Sequence, residues 1–255
     1  MPSFRLLAPA LLAFALCAAP QAAPAQSFSD VQRSDIEKIV REYLIAHPEV
    51  LEEAMNELNK RQAAAEAEKH QASIAKNAEA IFNSPRGVTI GNKDGDVTFV
   101  EFFDYNCGYC KRAMDDMLEL MKADPKLKVV LKEFPVLSQG SVEAAQVAVA
   151  VRMQDPTGKK YLDFHQKLLG GRGAADKARA MAAAKDAGLD TARIEKDLTS
   201  PEVKATIEEN MRLAEAMGMN GTPSYVIGKQ VVVGAIGLDG LKEKIGLARC
   251  GKATC

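Results

Sequence analysis

The sequence predicts an α/β fold with a helical block inserted between a β–helix–β half and a β–β–helix half, and a helical extension in front. Three observations carry that expectation. An apolar strand-like run, Val97 to Phe103, leads into Cys107-Gly108-Tyr109-Cys110 and then the helical run Lys111 to Met121. From about Ser141 to Met217 helix signals succeed one another without a strand pattern. Ser224 to Ile227 and Gln230 to Val233 then read as short strands around Gly228-Lys229, closed by a helix from Leu238 to Ala248.

Taken in order, the first element is a leader. Arg5 is the only charged residue before Asp30, Leu6 to Ala19 is apolar, and Ala23-Pro24-Ala25 offers small residues for cleavage before Gln26. Pro9, Pro20 and Pro24 interrupt the stretch too often for a membrane span of about 20 apolar residues. Residues 1–25 are therefore expected to be a cleaved export signal that takes Cys17 with it. Cys107, Cys110, Cys250 and Cys255 remain, an even number for an oxidising compartment. No later segment is apolar enough to span a membrane, so the mature chain is expected to be soluble.

Residues 34–82 read as helix. Ser34 and Glu37 form a capping-box pattern, and Ile36, Ile39, Val40, Tyr43 and Leu44 follow at helical spacing. Pro48 opens a second helix. Leu44, Leu51 and Leu58 repeat every seven residues, as do Ile36, Tyr43 and Val50. Beyond Leu58 the apolar stripe thins to alanine, which favours helix but buries little area. The run from Ile36 to Leu58 needs a covering surface, and a second copy of the chain is the favoured one. Residues 26–82 are assigned to a helical oligomerisation arm and 83–255 to the main domain.

Within that domain, Val88-Thr89-Ile90 and Val97 to Phe103 are strands joined by the turn Asn92-Lys93-Asp94-Gly95, and Lys128 to Phe134 is a third. The helical insertion spans about 138–217, punctuated at Asp155-Pro156, Gly170-Gly171, Gly188 and Ser200-Pro201. The chain has 255 residues, 47% hydrophobic and 26% charged, with a formal net charge of −1. That balance suits a globular protein and offers nothing to nucleic acid.

The chemistry centres on Cys107 and Cys110. At a helix start, a sulfur lies among unpaired N–H groups at the positive end of the helix dipole, which favours the thiolate that attacks disulfides. Cys107, nearer the helix start, is expected to be the exposed nucleophile. Cys110, one turn on, is expected to be the buried resolving thiol. Zinc half-sites share the C-x-x-C spacing, and Cys250 with Cys255 would complete a tetrathiolate, although the pairs lie far apart in sequence. Glu101 faces either solvent or the interior; its place leading into the redox turn favours a buried, proton-handling carboxyl. Asp104 reads as a cap for the following turn. Gly221-Thr222-Pro223 precedes a strand, where proline is normal. His47, His70 and His165 show no ligand spacing, and Met114, Met117 and Met121 suit core packing better than copper binding.

These motifs together resemble the DsbA-like branch of the thioredoxin superfamily. The resemblance rests on Val100-Glu101-Phe102-Phe103-Asp104-Tyr105-Asn106-Cys107-Gly108-Tyr109-Cys110, Lys132-Glu133-Phe134-Pro135, the helical insertion and Gly221-Thr222-Pro223. The run Asp35 to Leu44, followed by His47-Pro48-Glu49-Val50-Leu51, is similar to the helical extension of the suppressor-of-copper-sensitivity protein C (ScsC-like) group. The resemblance implies a thioredoxin-like fold, Cys107 as nucleophile, Cys110 as its partner, Thr222-Pro223 as a cis-proline loop facing them, and Glu101 as the buried acid. It implies a periplasmic enzyme without a cofactor, acting on unfolded or misoxidised proteins and reset by a membrane redox partner. It also implies a homo-oligomer held by the N-terminal helices, a trimer in some relatives, with other relatives monomeric. DsbA carries proline and histidine between its cysteines; Gly108 and Tyr109 replace them here, so its strongly oxidising character is not carried over. Threonine before the proline is similar to the isomerases of the superfamily. Isomerase or reductase activity is thus the expectation, with a disulfide-donating oxidase or a copper-binding thiol protein as alternatives. Cys250 and Cys255 lie outside the shared motif and read as a local structural disulfide.

Overall fold

A computed structural model describes residues 28–255, so the expected signal segment 1–25 lies outside the described residues. The chain divides into two compact units, one ending at Leu58 and one running from Asn59 to Cys255. Helix α1 (Asp30–Ala46) belongs to the first unit, and α2 (Glu49–Lys76) contributes to both. The start of α1 differs from expectation. Ser29 is its N-cap and Ser34 sits inside the helix: Ser29 Oγ accepts the Gln32 N–H at 3.3 Å, while Gln32 Oε1 accepts the Ser29 N–H at 2.9 Å. Both stretches carry the S-x-x-E/Q pattern, and the upstream one prevails because no breaker separates them. No residue of α1 is buried, and Val31, Ile39, Val40 and Tyr43 are exposed. The expected arm, 26–82, extends into the second unit, where Ile74 and Ile81 are buried.

The second unit begins with the end of α2 and α3 (Ala78–Phe82), then β1 (Val88–Gly91), β2 (Val97–Phe103), α4 (Gly108–Ala123) and β3 (Leu127–Glu133). The insertion holds α5 (Gln139–Gln154), α6 (Lys159–Leu169), α7 (Lys177–Asp186), α8 (Thr191–Asp197) and α9 (Pro201–Ala216). It is followed by β4 (Ser224–Ile227), β5 (Gln230–Val233) and α10 (Gly237–Cys250). The sheet order is β1-β3-β2-β4-β5, with β2 parallel to β3 and the other pairings antiparallel. The turn at Asn92–Gly95 joins β1 to β2, yet the two do not pair, because β3 lies between them. A right-handed β2–α4–β3 crossover is the favoured way to make the parallel pair. At Gly228, φ is +58°, the backbone a tight β4–β5 turn requires and glycine adopts without strain.

Strand alternation sorts the core. Phe99 and Phe103 of β2, with Tyr225 and Ile227 of β4, pack with Cys110, Met114 and Met117 of α4. Val100 and Phe102, from the opposite face, pack with Leu213 and Met217 around α9 and with Ile74 and Ile81. Nearly every residue of β2 is buried, which is why it reads as a continuous apolar run. Cys250 and Cys255 are disulfide-bonded, which excludes the tetrathiolate zinc site.

Candidate active site

The site forms where β2 ends and α4 begins. Asp104 organises the turn between them. Its Oδ1 accepts the Asn106 N–H at 2.8 Å, as a turn-capping residue does. Its Oδ2 accepts the N–H groups of Val136 and Leu137 at 2.9 and 3.0 Å, pinning the segment after β3 beside the turn. Asn106 ties the same turn to the insertion: Nδ2 donates to Ser141 Oγ at 3.0 Å and to the Ala175 carbonyl at 2.9 Å, and Oδ1 accepts the Ala175 N–H at 2.7 Å. Neither long-range role leaves a mark in the local sequence.

Cys107 is itself the N-cap of α4. Its Sγ accepts the Cys110 N–H at 3.2 Å, the place a serine or aspartate oxygen usually takes. On its other side the thiol donates to the Thr222 carbonyl at 3.2 Å, and the Thr222–Pro223 peptide is cis. The chain thus brings Cys107, Cys110, Thr222 and Pro223 together from opposite ends of the domain. Cys107 is less exposed than expected, at 7%, against 0% for Cys110. Tyr109, beside it, is exposed, with the Arg112 guanidinium 4.5 Å above its ring.

The electrostatics separate the two thiols. The hydrogen bond from the Cys110 side chain is the largest influence on Cys107; the N–H groups of Cys110 and Tyr109 act in the same direction, against burial, and the thiol comes down to about 6. Burial, reinforced by the bond to Cys107, pushes the Cys110 thiol far up. Glu101 lies on the α4 side of β2, in the alternation that includes Phe99 and Phe103, and is buried. Burial raises its carboxyl to about 8, with the Cys107 and Asp116 charges adding to the effect. Asp116 is itself raised by burial and by Asp115 and Glu119. Cys107, Glu101 and Asp116 thus converge with no cation among the groups that shift Glu101 or Asp116.

His165 is not an ordinary helix residue. It is buried under the redox turn, its ring 4.7 Å from that of Phe103 and 5.6 Å from that of Tyr105, and burial brings it down to about 3. Met114 and Met117 are core residues, as their spacing suggested. Among the described residues, no group of three or more His, Cys, Asp or Glu side chains is placed to hold a metal ion.

Sheet order, redox turn and proline loop define a thioredoxin-fold dithiol protein. Residues 98–246 match the DSBA-like thioredoxin domain, and 32–65 match the copper resistance protein ScsC N-terminal domain. The chain belongs to the DsbA-like thioredoxin domain family. It is 42% identical to a thioredoxin-like oxidoreductase from Silicibacter pomeroyi DSS-3, covering 67% of this chain and 96% of that one at a TM-score of 0.64. Proteus mirabilis ScsC in a transitional conformation is 30% identical, covering 88% and 97% of the two chains at a TM-score of 0.62. A periplasmic thioredoxin-like protein from Salmonella enterica serovar Typhimurium is 30% identical over 68% and 95%, at a TM-score of 0.58. Of the curated relatives, the chain spans 21% of the Na(+)/H(+) antiporter NhaA of Herminiimonas arsenicoxydans, at 29% identity over 142 residues. It spans 64% of the thiol:disulfide interchange protein DsbA of Bordetella pertussis, at 26% identity over 138 residues.

Proposed function

We propose that the protein is a periplasmic thiol–disulfide isomerase or reductase, exported by residues 1–25 and acting on misoxidised protein disulfides. The observation that carries this reading is the division of labour between the sulfurs: Cys107 capping α4 with a lowered pKa, and Cys110 buried and held as a thiol. Cys107 thiolate attacks one sulfur of a substrate disulfide, forming a mixed disulfide and expelling the other sulfur as thiolate. Either a substrate thiolate then attacks the substrate sulfur of the mixed disulfide, forming a new substrate disulfide and expelling Cys107 as thiolate, which completes isomerisation, or Cys110 attacks Cys107 Sγ. In the second case the Cys107–Cys110 bond forms, the substrate sulfur leaves, and the Cys110 proton passes to Glu101. Once Cys107 is in the mixed disulfide its charge is gone, and with it one cause of the raised Glu101 pKa. The carboxylate then forms more readily when Cys110 needs a base. Thr222 and Pro223 receive the substrate backbone beside the sulfur.

The exposed apolar residues of α1 support assembly through residues 26–82, with a trimer favoured, which would set several sites around one client. A membrane redox partner would reset the pair. The test is refolding of a scrambled multi-disulfide protein; activity no higher than that of Cys107→Ser refutes the reading. A lowered Cys107 pKa also favours loss of that sulfur as leaving group, which suits a disulfide-donating oxidase. The reduction potential separates the two, a strongly oxidising value favouring donation.

A further inference from the structure

Tyr225 stands directly opposite Glu101 in the antiparallel pairing of β4 with β2. Paired residues project from the same face of a sheet, here the face packed with α4 and Cys110. The Tyr225 ring packs on Phe99 with centroids 5.1 Å apart. A phenylalanine would serve that contact equally well. The hydroxyl is different: it is buried and has no hydrogen-bond partner, a condition that costs free energy and that native cores avoid. Burial also holds the phenol far above its ordinary pKa, so it stays a donor.

The other groups facing this position are few. From α4 come Cys107, Cys110 and Asp116. Leu131 is the β3 neighbour of Glu101 and Val232 the β5 neighbour of Tyr225, and Leu241 and Ile245 of α10 belong to the same core cluster. None is a cation, and beside the Cys110 thiol, whose proton the step consumes, Tyr225 is the neutral donor among them. A Glu101 carboxylate formed here has no positive partner, and the orphaned hydroxyl opposite it has no acceptor.

We propose that Tyr225 is a positioning residue for proton exchange between Cys110 and Glu101, its hydroxyl donating to the Glu101 carboxylate, directly or through one water, when that carboxylate forms. The inference rests on reading Cys107 and Cys110 as a redox pair. In the step concerned, Cys110 loses its proton to Glu101 and attacks Cys107 Sγ. The mixed disulfide breaks as the Cys107–Cys110 bond forms, so the dithiol is oxidised and the departing substrate sulfur leaves reduced. Donation from Tyr225 stabilises ionised Glu101, keeping it a competent acceptor near neutral pH.

The experiment uses the reduced mature chain and a symmetrical aryl disulfide probe, dithiobis(nitrobenzoate), in stopped flow. The first thionitrobenzoate released reports attack by Cys107 and the second reports attack by Cys110. In Tyr225→Phe the inflection of the second phase against pH moves up by about one unit, and its rate at neutral pH falls by up to about tenfold. Adding Tyr225→Phe to Glu101→Gln changes nothing further, because the acceptor is already gone. Site-specific 3-fluorotyrosine at position 225, a stronger donor that keeps the ring, moves the inflection down. A Tyr225→Phe profile that superimposes on an active wild type overturns the inference and leaves the redox reading standing. If Tyr225→Phe fails to fold, the fluorotyrosine arm decides, and an unmoved inflection overturns the inference. A wild type with no second release overturns the redox reading and this inference with it.

Discussion

Replacing Glu101 by glutamine should stabilise the reduced protein, and the gain should depend on pH in a defined way. The folded protein holds this carboxyl at about 8 against an ordinary 4.5, chiefly through burial. The folded state therefore keeps the proton where the unfolded chain has lost it. Below the unfolded value both states are protonated and there is no penalty; as pH rises through the window the penalty accumulates, and above about 8 it is complete. At neutral pH about two and a half units of that window have been crossed, which at about 1.4 kcal/mol per unit is about 3 kcal/mol. The group is only 3% exposed, so solvent does not dilute the effect. Urea unfolding of wild type and Glu101→Gln, both reduced, at a series of values from pH 4.5 to 7.5 measures it. The stability difference should widen by about 3 kcal/mol across the series, wild type falling relative to the variant. In a Cys107→Ser background the widening should shrink without vanishing, because the Cys107 charge is the second cause of the shift and burial the first. Parallel curves for wild type and variant would refute the placement of Glu101 as a buried proton holder.

Alkylation of reduced Cys107 should show an inflection near 6, the lowered value, in place of the ordinary 9.0. At neutral pH roughly nine-tenths of it is then thiolate, close to a hundredfold more than an unshifted cysteine holds; an inflection near 9 in iodoacetamide rates would contradict the capping geometry. Glu209 accepts from Ser84 and from Arg86 at 2.8 Å and lies 3.9 Å from the fully buried Lys132 ammonium. Glu209→Ala should cost about 3 kcal/mol by stranding that charge, with Lys132→Met in the same background recovering much of it in thermal unfolding. Sedimentation of the mature chain beside a chain starting at Asn59 should show the longer one as an oligomer and the shorter as a monomer. The cut belongs there because Ile74 and Ile81 are core residues of the second unit; two monomers would end the proposal of self-association.

Much of the fold was legible because its signals are local. β4 and β5 fall on the expected residues, and β3 differs by a residue at each end, Leu127–Glu133 where Lys128 to Phe134 was expected. Such strands are bounded by turn residues that act over two or three positions. The start of α1 was misplaced because Ser29 and Ser34 carry the same local pattern, and only the observed helix shows which one caps it. The separation of β1 from β2 by β3 is a long-range fact, and the Asn92–Gly95 turn between them carries no trace of it.

The candidate site divides along the same line. Cys107 and Cys110 announce themselves because a helix start and its spacing are written in consecutive residues. Glu101 reads as an interior carboxyl because its strand leads into that turn, and the fold buries it. Tyr225 was invisible as anything but a strand residue. What distinguishes it is the β4–β2 register, which sets it opposite Glu101, and a hydroxyl whose lack of a partner appears only once every neighbour is in place. The same holds for Asp104, which looked like a turn cap and also secures Val136 and Leu137. A sequence names the groups that react; the partners that set their protonation come from strands distant in the chain, so their influence must be measured as shifts in pH dependence.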